Sequence, residues 1–185
     1  HFDAVEIWNG RWQSAIAPVL DDWFAMLRAG ARVTATGNSD SHAITTQEAG
    51  YPRTCLAVPD ARAGHFTAAD VTRALRETRD VFVTDGPHVT VTDAAGRSVI
   101  GRTVRAPARL TVTVTSPVWS AGEAVEWIDS DGHRTPLTTV RELTYHTVRR
   151  RGTLVVPAVA PRPSAARFVV VRAFVVAPAR VQPDL

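Results

Sequence analysis

Lysine is missing from this chain: all 21 basic residues are arginine, and against 18 acids they leave a net charge of only +3. Arg, Ala, Val and Pro are all abundant, so the basic balance reflects composition. It does not support a nucleic-acid reading, which needs a basic stripe interleaved with aromatics. Cysteine occurs once, at Cys55, which excludes an intrachain disulfide and by itself says little about the compartment. Beside Arg53 and Thr54 it is read as filling space rather than as a reactive thiol. Apolar runs of membrane-spanning length are absent, so a soluble globular chain of one or two domains is expected, with no membrane span. Localisation and oligomeric state stay open.

What is present concentrates in one loop, T-G-N-S-D-S-H from Thr36 to His42. The β-branched run from Arg32 to Thr36 predicts a short strand, which Gly37 ends. Asp40 and His42 follow two apart, and in extended backbone side chains two apart share a face. A carboxylate is a hard ligand able to bridge two cations, while neutral imidazole suits zinc, iron or manganese. Two donors do not complete a site, because catalytic zinc usually takes three protein ligands and a water. Asn38, Ser39 and Ser41 are expected to orient the loop, since none has the strand-turn-helix setting of a nucleophile elbow.

G-N-S-D-S-H, followed eight residues later by G-Y-P-R-T at Gly50 to Thr54, resembles the end of a PHP (polymerase and histidinol phosphatase) metallohydrolase domain. The branch it is similar to is the one named for carbaryl hydrolase. F-D-A-V-E-I-W-N-G at the start and V-F-V-T-D-G-P at Val81 to Pro87 fit the same branch, in the same order. The resemblance covers about residues 2 to 87. It implies the C-terminal portion of a distorted β/α barrel with two or three divalent metal ions (zinc, manganese or iron), of which Asp40 and His42 are the last ligands. The family's opening His-x-His and its middle Glu and His ligands are absent, and the chain has no initiator Met. The expectation is therefore the C-terminal part of a longer protein, inactive as a hydrolase by itself.

Ala4 to Trp8 is an apolar run holding a single acid, Glu6, and it ends at Asn9-Gly10 as a buried strand entering a turn. Glu6 is a ligand, an acceptor orienting one, or the partner of an arginine. Asn9, at a strand end, belongs nearer the active-site mouth. Pro18 opens a helix with Leu20, Trp23, Phe24 and Leu27 on one stripe, closed by Gly30. Thr54 to Val58 is compatible with a short extended piece. Thr67 to Asp70 reads as a capping box for a helix to about Arg79, and His65 before it as a surface residue without ligand neighbours. Val81 to Thr84 is a strand, and Asp85-Gly86-Pro87 a break.

Beyond the break the period becomes two. Strands are expected at 88–92, 109–115, 123–128, 143–148, 153–156 and from Arg167, with turns at Asp93 to Gly96 and Asp131-Gly132 and a Pro-rich stretch from Pro157 to Pro163. Arg149 to Arg151 before Gly152 is placed at a hairpin tip, His133 at another, and His146 within a strand. Trp119 and Trp127 are a sugar platform or, more commonly, core. The expected fold is thus α/β plus all-β: residues 1–86 from a distorted PHP β/α barrel, then 87–185 as an antiparallel immunoglobulin-like β-sandwich of about seven strands.

The function expected is metal-assisted hydrolysis of a small-molecule phosphoester, carbamate or carboxylic ester, with Asp40 and His42 as ligands. Asn9, Asn38 and Glu6 stand behind them. Arg53 either stabilises an oxyanion or phosphate with its fork of donors or pairs with a rim carboxylate. The rivals are a non-catalytic β-rich module for protein or carbohydrate, attached to a remnant barrel, and a nucleic-acid binder.

Overall fold

Parallel pairing of two short strands through a helix opens the chain. The computed structural model describes residues 2–10, 16–43, 45–47, 49–60, 62, 64–118, 123–157 and 168–175. Strand β1 (Ala4–Asn9) pairs in parallel with β2 (Thr34–Asn38), and helix α1 (Ile16–Arg28) connects them. This is the expected β/α unit. The helix begins two residues before Pro18, which sits in the first turn where its missing N–H leaves no bond unmade. The stripe faces inward: Phe24 is buried, and the Trp23 indole donates to the Val33 carbonyl at 2.9 Å.

Strand β2 starts later than the β-branched run indicated and continues through Gly37, which is therefore not a strand breaker. A Cβ at Gly37 would lie 2.3 Å from Val83 Cγ1, so glycine is what lets a neighbouring strand approach. That neighbour is β4 (Val81–Thr84), antiparallel to β3 (Arg53–Leu56). Helix α2 (Ala68–Glu77) lies between them in sequence, with the Thr67/Asp70 capping box in place. It stops at left-handed Thr78, just short of Arg79.

Seven further strands form two antiparallel sheets: β5 (His88–Thr92), β6 (Ala108–Pro117), β7 (Glu123–Asp129), β8 (Arg134–Pro136), β9 (Thr139–Leu143), β10 (Thr147–Val156) and β11 (Val169–Val175). The orders are β5-β6-β10-β9 and β11-β7-β8. Strict alternation on β6 buries Leu110, Val112, Val114 and Ser116. With Val91 and Leu154 these apolar residues meet Val125 of the second sheet, and Trp127, Val169, Val171 and Ala173 pack against the cluster. Trp127 is thus a core residue; Trp119 lies outside the described residues, as do residues 158–163 of the Pro-rich stretch.

Three expectations fail here. Segments 143–148 and 153–156 are not separate strands: β10 runs unbroken through Arg149 to Arg151, so these arginines are not a hairpin tip. Gly152 misled because glycine usually marks a turn, whereas here it admits the Thr138 carbonyl, which a Cβ would meet at 2.6 Å. The turn falls instead at 144–146, closed by Thr144 N–H to the Thr147 carbonyl at 2.9 Å, and it takes His146 out of any strand. Strands β8 and β9 were not foreseen, because neither alternates clearly.

Contacts cross the break at Asp85 to Pro87. The Thr84 hydroxyl donates to the Pro87 carbonyl at 2.6 Å, Asp80 N–H to the Ile100 carbonyl at 3.2 Å, and Arg102 pairs with Asp80 at 2.6 Å. Phe24 on α1 stacks on Phe168, just before β11, with centroids 5.8 Å apart. Among the described residues no helix is long and apolar enough to cross a membrane.

Gly101, at φ 70°, presses its Cα side against the Thr78 carbonyl, leaving no room for a Cβ. Gly101→Ala should therefore cost more than about 1 kcal/mol in urea unfolding; an unchanged midpoint would show that the contact is dispensable. The Asp93 carboxyl is held below the usual carboxylate range, first by the Arg97 backbone N–H and then by the Arg97 guanidinium. A lowered folded pKa adds stability above the unfolded value of about 3.9 and loses it as pH falls through the folded value. The stability difference between the wild type and Asp93→Asn should accordingly shrink on titration from pH 6 to pH 2.5; a difference that grows would reverse the sign.

Candidate functional site

Parallel pairing sets the C-terminal ends of β1 and β2 side by side, with Asn9 directly opposite Asn38. A register slip between Glu6 and Trp8 re-aims β1 at this point. Glu6 is held by amides, with no arginine paired to it among the described residues: Asn38 Nδ2 donates to Oε1 at 2.5 Å and Asn9 Nδ2 to Oε2 at 3.1 Å. One carboxylate thereby ties the two strand ends together. Next to it the Trp8 indole N–H is buried and has no hydrogen-bond partner among the described residues.

Asp40 and His42 come together by a different route from the one their spacing indicated. Asp40 takes φ 49°, a left-handed conformation that Asp tolerates better than most residues, so the segment is turned and not extended. His42 Nδ1 lies 2.7 Å from the Asp40 backbone carbonyl and 3.6 Å from its carboxylate. A carbonyl oxygen can only accept, so Nδ1 carries the proton and Nε2 is left as the free ring nitrogen. That arrangement is typical of metal-ligating histidines, whose other ring N–H is commonly given to a carbonyl or carboxylate. Both side chains are more than half exposed.

Gln47, which the sequence reading overlooked, fastens this turn. Its Oε1 accepts from His42 N–H at 2.5 Å and Ala43 N–H at 3.1 Å, and Ser41 Oγ donates to its carbonyl at 3.1 Å. Ser41 thus orients the loop as expected. No motif points to Gln47; only the two backbone donors it caps reveal it. Thr54 was overlooked as well: its hydroxyl accepts from Gly37 N–H at 2.9 Å and donates to the Gly37 carbonyl at 3.0 Å, linking β3 to β2 just ahead of the loop.

Arg53, next to Thr54, is half-buried. It donates through Nη1 to the Gly50 carbonyl at 3.1 Å and lies over the Tyr51 ring, 5.1 Å from its centroid. No carboxylate pairs with it among the described residues, so its remaining donors are uncommitted. His65 does have an acidic neighbour, Asp60, at 3.2 Å, which corrects the reading of it as isolated. His1 lies outside the described residues. Among the described residues no three His, Cys, Asp or Glu side chains converge to hold a metal ion.

The donor set suits part of a divalent-metal site. Asp40 offers a hard carboxylate, and His42 an imidazole whose Nδ1 is taken by a carbonyl and whose Nε2 is open. Among the described residues the set supplies two donors and no third. Comparison with protein-family models, curated proteins and solved structures yields no match to this chain.

Gln47→Ala should release the two amides it caps. At about 1 kcal/mol per hydrogen bond, hydrogen exchange at His42 and Ala43 should quicken roughly fivefold, and unchanged protection would remove Gln47 from the loop's support.

Proposed function

We propose that this chain is the C-terminal part of a metal-dependent hydrolase of the PHP type, acting on a small-molecule phosphoester, carbamate or carboxylic ester. The observation that carries the reading is the His42–Asp40 turn, in which a backbone carbonyl accepts from Nδ1 and leaves Nε2 open to a cation beside a carboxylate. Zinc, manganese or iron held there would supply Lewis acidity and activation of water. The chain's own part is positional. Asp40 and His42 hold ions, Gln47 keeps the turn that presents them, and Glu6 locks Asn9 and Asn38 at the strand ends. Arg53, anchored by the Gly50 carbonyl and Tyr51, offers its other guanidinium donors to the anionic oxygen of the substrate.

In this reading residues 1–86 are the closing portion of the barrel and 87–185 an immunoglobulin-like sandwich. The β1-α1-β2 unit supports the first assignment and the two sheets sharing a core the second. The third and later metal donors belong to sequence outside this chain. The Trp8 indole N–H, buried without a partner, fits a neighbour supplied from there.

Two outcomes follow. The purified chain, mixed with zinc or manganese and desalted, should retain no stoichiometric metal and should not hydrolyse an aryl phosphate ester. Joined to the missing donors, it should do both, and Asp40→Asn or His42→Ala should then abolish turnover and lower the bound metal. Full retention and turnover by the chain alone, or unaltered activity in both variants, would refute the assignment.

A further inference from the structure

Exposed apolar side chains gather at one end of the four-stranded sheet. Leu143 is 63% exposed and Tyr145 88% at the turn from β9 to β10, and Val118 is 39% exposed. Val118 belongs to the same end, since its N–H donates to the His146 carbonyl at 3.2 Å. Scattered apolar residues on a surface need no explanation, but a cluster does.

Arginines surround this tip. Strand pairing sets Arg149 opposite Glu142, Arg151 opposite Val140, and Arg150 directly opposite Arg141. Successive residues on a strand alternate sides, so Arg149 and Arg151 stand on one face of the hairpin and the Arg141/Arg150 pair on the other. Like charges directly opposed on one face repel and destabilise the pairing. Among the described residues no acid pairs with Arg141, Arg150 or Arg151, and Glu142 is already engaged with Arg149 at 4.0 Å. The hairpin therefore carries cations on both faces and apolar groups at its end.

We propose that the β9–β10 tip docks on an anionic lipid surface. Surface-bound segments sink their apolar side chains about 5–10 Å into the headgroup region. At about 3.3 Å of rise per residue, Arg149 and Arg150 stand roughly 7–13 Å from the tip. With Leu143 and Tyr145 inserted, the guanidinium groups reach the level of the lipid phosphates, whose charge relieves the Arg141/Arg150 repulsion. Tyrosine suits such a boundary because its ring is apolar and its hydroxyl wet. A soluble acidic polymer would account for the arginines but leave Leu143 and Tyr145 exposed. Single-stranded nucleic acid needs a row of stacking aromatics, whereas among the described residues the ring next to Tyr145 is that of His146, edge to face at 4.1 Å.

The test is co-sedimentation of the 185-residue chain with phosphatidylcholine vesicles, with and without phosphatidylserine. Binding should require phosphatidylserine and weaken with salt. It should fall about fivefold for each of Arg149→Gln, Arg150→Gln and Arg151→Gln, and at least tenfold in Leu143→Ser/Tyr145→Ser. Tyr145→Phe, which keeps the ring, should bind like the wild type, guarding against a fold defect in the double variant. Three outcomes overturn the proposal. One is no binding to phosphatidylserine vesicles. Another is a double variant that still binds, with soluble heparin competing equally, which would make the partner an acidic polymer. The third is a chain that dimerises through Leu143 and Tyr145 in size-exclusion chromatography, which would make the tip a protein interface.

Discussion

Two hydrogen bonds between the Thr54 hydroxyl and the Gly37 backbone hold the candidate site in place. Strands β2 and β3 belong to different two-stranded sheets, and short isolated pairs have little stability of their own. A side-chain hydroxyl takes the place of the missing ladder rung, while the bare Cα of Gly37 makes room for Val83, the cross-strand partner of Thr54. The loop that bears Asp40 starts where this junction ends. Its aim is inherited from a contact that involves no candidate ligand.

His42 and Glu6 both depend on neutral partners. A backbone carbonyl and a glutamine side chain hold the first and two asparagine amides the second, with no arginine involved among the described residues. Neutral clamps leave the negative charge of the carboxylates uncancelled. That charge is what a cation would meet on arrival, so the same arrangement that orders the loop also preserves its attraction for one.

Much of the secondary structure was legible because it rests on local chemistry. The Thr67/Asp70 box, the stripe on α1 and the alternation on β5 and β6 each follow from the sequence within one element. Two of the errors share one cause. Gly37 and Gly152 were read as punctuation, but both are strand residues whose missing side chain serves a neighbour distant in sequence. Glycine's local meaning and its packing meaning look alike until the partner is known. In the candidate site, the proximity of Asp40 and His42 was anticipated, though by alternation in place of a left-handed turn. Gln47 and Thr54 stayed hidden because capping a distant amide leaves no periodic trace.

The stack of Phe24 on Phe168 bears on the order of events during synthesis. The two rings are separated by most of the chain, so α1 cannot complete that contact until the residues leading into β11 have emerged. Until then the helix face around Phe24 is open to water and to other chains, during the interval when β6 is also waiting for β10. Pairings this distant close slowly, because the loop entropy must be lost before any contact repays it. Phe168, at the entry to β11, therefore acts as a latch on α1, and truncation before it would leave an early-made element exposed for as long as the chain persists.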